Sequence, residues 1–145
     1  MLVWRDITID DRDLIEKYFS LRNSRMVEHC FADIFIWRNY YRTRFAVRDG
    51  FLFLKGGSDR VYYLTPCGEG DLEAAVRTLI DEAAGKKEKF MMVSADEYMK
   101  DRLGECMPGV FEFTENRDGE DYIYCARDLI ELTGKKYHSK RNFDN

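Results

Sequence analysis

The chain has 145 residues, 45% of them hydrophobic and 14% aromatic, which suits one domain with a real core and argues against intrinsic disorder. Its net charge of −4 gives no general case for nucleic-acid binding, but the charge is uneven: residues 135–145 carry +3, leaving −7 for the rest. The four cysteines are widely spaced with no CxxC pair, which fits a reduced cytoplasmic protein; no signal peptide is visible, and the apolar runs are far too short to span a bilayer.

Val3, Ile7 and Ile9 suggest a short first strand. Asp10 reads as a helix cap, and Leu14, Tyr18 and Leu21 then mark an amphipathic helix over 11–21. Ser24 is the next cap candidate, and Val27, Phe31 and Ile34 predict a second helix over 26–40. The aromatic load there (Phe31, Phe35, Trp37, Tyr40, Tyr41) reads as a helix buried against a sheet, with a base-stacking surface as the alternative. Tyr41, Thr43, Phe45 and Val47 alternate with Arg42, Arg44 and Arg48, so one strand face is apolar and the other cationic. That arginine row reads as a solvated face, the alternative being contact with a phosphate-bearing ligand. Asp49-Gly50 is a two-residue hairpin turn, leading into strands at 51–55 and 61–65.

The turn Pro66-Cys67-Gly68-Glu69-Gly70 leads into a helix carried by Leu72, Val76, Leu79 and Ala83, with Gly85 as its stop. A buried strand is expected at 90–93. Ser94-Ala95-Asp96-Glu97 has the form of a capping box and opens a helix ending near Gly104. Strands at 110–113 and 122–125 flank the turn Asn116-Arg117-Asp118-Gly119, and Asp128 caps a last helical turn.

This hairpin-rich α/β order resembles the GNAT-type acyltransferase fold, a mixed, largely antiparallel sheet flanked by helices. In that fold a glycine-bearing turn at a helix N-terminus receives the phosphates of acyl-CoA. The corresponding residues are Thr65 to Gly70, and Gly68 and Gly70 match the G-x-G part of the pattern. Thr65, Pro66 and Glu69 depart from it, and an ordinary strand-to-helix turn is the competing explanation.

A wider resemblance rests on four segments: Glu28 to Arg38, Tyr62 to Gly68, Asp121 to Tyr124, and Leu132-Thr133-Gly134-Lys135-Lys136-Tyr137-His138-Ser139-Lys140-Arg141-Asn142. They are similar to the C-terminal region of the bacterial phosphatidylglycerol lysyltransferase family. The resemblance implies two GNAT-like halves in tandem, this chain being the first: residues 1–133 as the domain, and 134–145 as a basic linker into a second half. It implies transfer of an acyl or aminoacyl group, with acyl-CoA or aminoacyl-tRNA as donor. A second half is expected after Asn142, so the isolated chain is expected to bind or support rather than catalyse alone, with that half or another copy as partner.

Lys135, Lys136, Lys140 and Arg141 are candidate contacts to RNA phosphates or an acidic ligand, with Tyr137 and His138 able to stack and Asn142 completing the run. The plain alternative is a solvated linker docked on an acidic body. His29 and Cys30 are sequence neighbours on a predicted helix and point apart by about 100°, a poor dyad or metal pair. No P-loop, Ser/His/Asp set or metal cluster is evident, and the catalytic residues are left unassigned. A stand-alone CoA-dependent acetyltransferase and a non-catalytic interaction module are the competing functional readings.

Overall fold

A computed structural model describes residues 1–22 and 24–132. The chain divides into two compact units, Met1–Glu115 and Asn116–Asn145.

The first unit is organised around a hairpin of β2 (Arg44–Arg48) and β3 (Phe51–Gly56). Asp49 and Gly50 supply the two positive φ angles, 49° and 81°, that so tight a connection requires. β1 (Arg5–Asp6) pairs antiparallel with β2; β4 (Tyr62–Leu64) and β5 (Cys67–Gly68) pair antiparallel with opposite ends of β3. β6 (Met92–Val93) runs parallel to β4, giving the order β1-β2-β3-β4-β6.

Alternation along the strands feeds two cores, because both sheet faces are covered. Phe45, Leu52, Leu54 and Leu64 pack with Ile15 and Phe19 of α1 (Arg12–Ser20) and with Phe31 and Ile34 of α2 (Phe31–Trp37). Ala46, Phe53 and Tyr63 pack with Ala75, Leu79 and Ala83 of α3 (Leu72–Gly85). On α3 the i, i+3, i+7 spacing of Val76, Leu79 and Ala83 makes the buried stripe, and burying a side chain such as Leu79 stabilises by about 1.5–3 kcal/mol. Val76 also receives Met99 and Leu103 of α4 (Glu97–Cys106). The result is a mixed α/β fold with a mostly antiparallel open sheet flanked by helices, in agreement with the GNAT-like expectation.

Several boundaries differ from the sequence reading. Cys30 is extended (φ −123°, ψ 125°), so the 26–40 helix divides into a 3-10 turn at Val27–His29 and α2 proper. Asp96, not Ser94, caps α4: its carboxylate accepts from Met99 N at 3.0 Å, while Ser94 has φ 59° and its carbonyl accepts from Thr65 Oγ1. Gly85 and Gly104 lie inside α3 and α4 respectively, and Asp11, the last residue of a 3-10 turn at Ile9–Asp11, rather than Asp10, stands at the N-cap position of α1. Among the described residues, 110–113 and 122–125 form no strand, since no neighbouring chain segment takes up their backbone groups as a ladder. The second unit holds a 3-10 turn at Arg117–Gly119 and α5 (Ala126–Glu131), whose N-cap is Cys125; Asp128 sits in its first turn.

Candidate ligand cleft at the strand-to-helix turn

Leu64, Thr65 and Pro66 enter the core, and the chain then runs beside β3 as β5 before turning into α3. Gly68 is dictated by that approach: a Cβ there would lie 2.2 Å from the carbonyl oxygen of Gly50. Gly70 has φ +141°, a conformation that side chains other than hydrogen rarely adopt. The Gly-x-Gly spacing therefore already has a backbone cause. It also forms one wall of a cleft of about 210 Å³.

The facing wall comes from two helices. Leu21 and Arg22 stand at the end of α1, and Tyr98, Met99 and Arg102 on α4. Arg22 forms an ion pair with Asp96, which caps α4, and its guanidinium lies 5.0 Å from the Tyr98 ring centre. Its Nη1 is buried and, among the described residues, meets no hydrogen-bond acceptor. One carboxylate thus fixes both a helix start and a cation at the cleft.

Beneath the cleft, Cys67 Sγ lies 3.4 Å from His29 Nε2, and Phe19 packs against the imidazole with ring centres 5.4 Å apart. Burial first, and the nearby Arg22 charge second, push the His29 pKa down to about 4. Burial raises the Cys67 thiol to about 11. At neutral pH the pair is a thiol beside a neutral imidazole, an uncharged contact rather than a thiolate–imidazolium nucleophile. His29 thus partners Cys67, 38 residues away, and not its neighbour Cys30.

A second concavity, of about 540 Å³, lies at the other end of β3, lined by residues including Arg38, Arg42, Arg44, Lys55 and Asp6. Lys55, beside the Trp4 ring, is lowered to about 8, by burial first and the neighbouring Lys86 second. Of the residues singled out from sequence, Gly68 and Gly70 meet at the first cleft; Lys135, Lys136, Tyr137, His138, Lys140, Arg141 and Asn142 lie outside the described residues. Arg22, Asp96, Tyr98 and Arg102 were not anticipated. Arg22 and Asp96 are 74 positions apart; Arg22 stands in no motif, and Asp96 was noticed only within a capping-box pattern. Among the described residues no cluster of metal-ligating side chains occurs, and no helix is long and apolar enough to cross a membrane.

The family model described as phosphatidylglycerol lysyltransferase, C-terminal, matches residues 19–145, so the chain belongs to that family. Its fold is shared with a crystal structure of a conserved protein of unknown function from Bacteroides thetaiotaomicron VPI-5482. That protein is 39% identical and superposes with a TM-score of 0.91, over 98% of this chain and 48% of its own. The chain spans about half the length of that relative. No curated protein matches.

Proposed function

We propose that the chain is a substrate-binding or supporting domain of an acyl- or aminoacyl-transferase-like protein related to phosphatidylglycerol lysyltransferase. The match over residues 19–145 carries this reading. The cleft between the Gly68–Gly70 turn and Arg22 and Arg102 receives the anionic part of the donor: guanidinium groups bind phosphates, and both arginines line it. On this reading 134–145 is a basic linker, and Lys135, Lys136, Lys140 and Arg141 add phosphate contacts to a charged RNA.

Thermal unfolding with two donors tests it. A hydrolysis-resistant lysyl-CCA trinucleotide should raise Tm progressively with concentration, as a native-state ligand does, and acetyl-CoA should not. The placing of Gly68 and Gly70 on the cleft wall favours the second reading, a CoA-dependent acyltransferase, and stabilisation by acetyl-CoA alone would install it. No shift with either at millimolar concentration would reject both and leave the interaction module.

A further inference from the structure

The far end of β3 holds a lysine that the transferase reading does not use. The strand register places Lys55 opposite Arg44 of β2 on one side and Tyr63 of β4 on the other, with Asp6 of β1 beyond Arg44. Side chains in such a cross-strand row share one face of the sheet. The end of α3 covers this face and brings Glu82 to the row, with Lys86 and Glu88 just after it. Glu82 is already engaged: it accepts from Trp4 Nε1 at 2.9 Å and pairs with Lys86 Nζ at 2.6 Å. Lys55 forms no ion pair among the described residues. Its Nζ lies over the Trp4 ring, 4.2 Å from the centre, and its side chain meets that of Lys86.

An ammonium group has donors and no acceptor, so two touching lysines bond only when one of them is neutral. Lys86 keeps its proton because Glu82 holds it, which raises its pKa. Lys55 is the one that gives way: burial first and Lys86 second bring it down to about 8, against the carboxylates of Glu82 and Glu88. A partly desolvated amine beside a second cation is the arrangement that makes lysine a nucleophile near neutral pH. Two buried polar atoms of the same cluster, the Tyr63 hydroxyl and Glu88 Oε2, meet no hydrogen-bond partner among the described residues. Lys55 also lines the concavity of about 540 Å³, together with Arg38, Arg42 and Arg44. Asp6 takes Arg44 Nε at 2.8 Å, and the other guanidinium nitrogens of Arg44 carry no ion pair among the described residues.

From this cluster we infer that Lys55 binds a small 2-oxo carboxylate as an imine, with Lys86 as proton donor and Arg44 on the carboxylate. The Lys55 nitrogen attacks the carbonyl carbon, and the carbonyl oxygen takes a proton from Lys86. The nitrogen returns a proton to Lys86, and the new hydroxyl is protonated in turn and leaves as water. The last nitrogen proton goes back to Lys86, and a C=N bond remains. One water is released for each imine, and nothing is oxidised or reduced. Cross-strand neighbours stand only about 5 Å apart at Cβ, so the carbonyl and the anion lie close together in the ligand. That favours a 2-oxo acid over a longer aldehyde phosphate, and a guanidinium matches a planar carboxylate. Arg38 and Arg42 leave the concavity positively lined against its single acid, Asp6. The site stands apart from the donor cleft, which borders the opposite end of β3.

The test is reductive trapping. The full chain is incubated with glyoxylate and cyanoborohydride at about pH 7.5, and carboxymethylated lysines are located by peptide mass mapping. Lys55 should react at least about tenfold faster than the exposed Lys17 and Lys100. That preference should shrink towards about pH 10, where the exposed amines lose their protons too. Propanal, an aldehyde of similar size without the carboxylate, should react with Lys55 more slowly than glyoxylate does. Arg44→Gln should slow glyoxylate about fivefold and leave propanal unchanged, a split that a merely structural role would not produce. Lys86→Gln should slow both aldehydes, as loss of the proton donor does. Circular dichroism confirms that each variant is folded. Labelling of Lys55 no faster than that of Lys17 and Lys100 in the wild type would overturn the inference. So would equal rates for glyoxylate and propanal that Arg44→Gln leaves unaltered, since the carboxylate would then have no seat.

Discussion

His29 shows how one side chain ties the cleft to pH. Its folded pKa of about 4 lies below its ordinary value of 6.5 because burial disfavours the imidazolium and Arg22 repels it. The unfolded chain binds the proton first, so this contribution is full above about pH 6.5 and is lost as pH falls towards about 4. The displacement amounts to about 3 kcal/mol at most. Urea unfolding from pH 7 to pH 4.5 should lose stability more steeply in the wild type than in His29→Gln; parallel curves would show that the imidazole is not held neutral. Gly68 permits a second test at this scale. Gly68→Ala forces a methyl into the Gly50 carbonyl, which belongs to backbone and cannot swing aside, and should destabilise by about 1–3 kcal/mol. Wild-type stability in that variant would mean that β5 does not lie against β3 as described.

Two helix starts can be compared directly. Asp71 caps α3 by accepting from Ala74 N at 3.0 Å, and Asp96 caps α4 in the same way. Removing a cap costs about 1 kcal/mol. Asp96 also holds Arg22, whose side chain is only 18% exposed, so its loss leaves a half-buried cation without its carboxylate. Asp96→Ala should therefore cost about 2–3 kcal/mol against about 1 for Asp71→Ala, measured by denaturant midpoint at unchanged m-value. Equal costs would show that the ion pair adds nothing. The same elements mark what is legible in sequence. The β2–β3 hairpin, α3 and its stripe, and the order of elements through α4 apart from β5, whose residues read as a turn, are fixed by local patterns, Asp49-Gly50 and the spacing of Val76, Leu79 and Ala83 among them. Residues 110–113 and 122–125 are rich in strand-favouring aromatic and β-branched residues too, but a strand forms only where a partner ladder receives it. Cys30 could not be recognised as a helix break, because nothing in its residue type dictates an extended backbone.

For the whole molecule, the lesson is that turns can be read and convergence cannot. Gly68 and Gly70 drew notice by spacing, whereas the Arg22–Asp96 pair and the His29–Cys67 contact arise from folding distant segments together. Family membership rests on residues 19–145, and the chain covers about half of its solved relative. In the second unit Tyr122 is 89% and Ile130 82% exposed, apolar surface that the described residues leave uncovered. Catalysis by a longer protein is compatible with a donor-binding role for the first unit, and that role is measurable on the chain itself.

The most direct measurement is calorimetric titration of the lysyl-CCA trinucleotide into the wild type and into Arg22→Gln with Arg102→Gln. The account predicts saturable binding to the wild type and affinity at least about tenfold weaker in the double variant, each lost charged hydrogen bond counting for about 1.5–3 kcal/mol. Arg38→Gln with Arg42→Gln, run alongside, separates the cleft from the second concavity at the other end of β3. Equal affinity in the wild type and the cleft variant, or no wild-type binding at millimolar concentration, would contradict the claim that this cleft receives the donor.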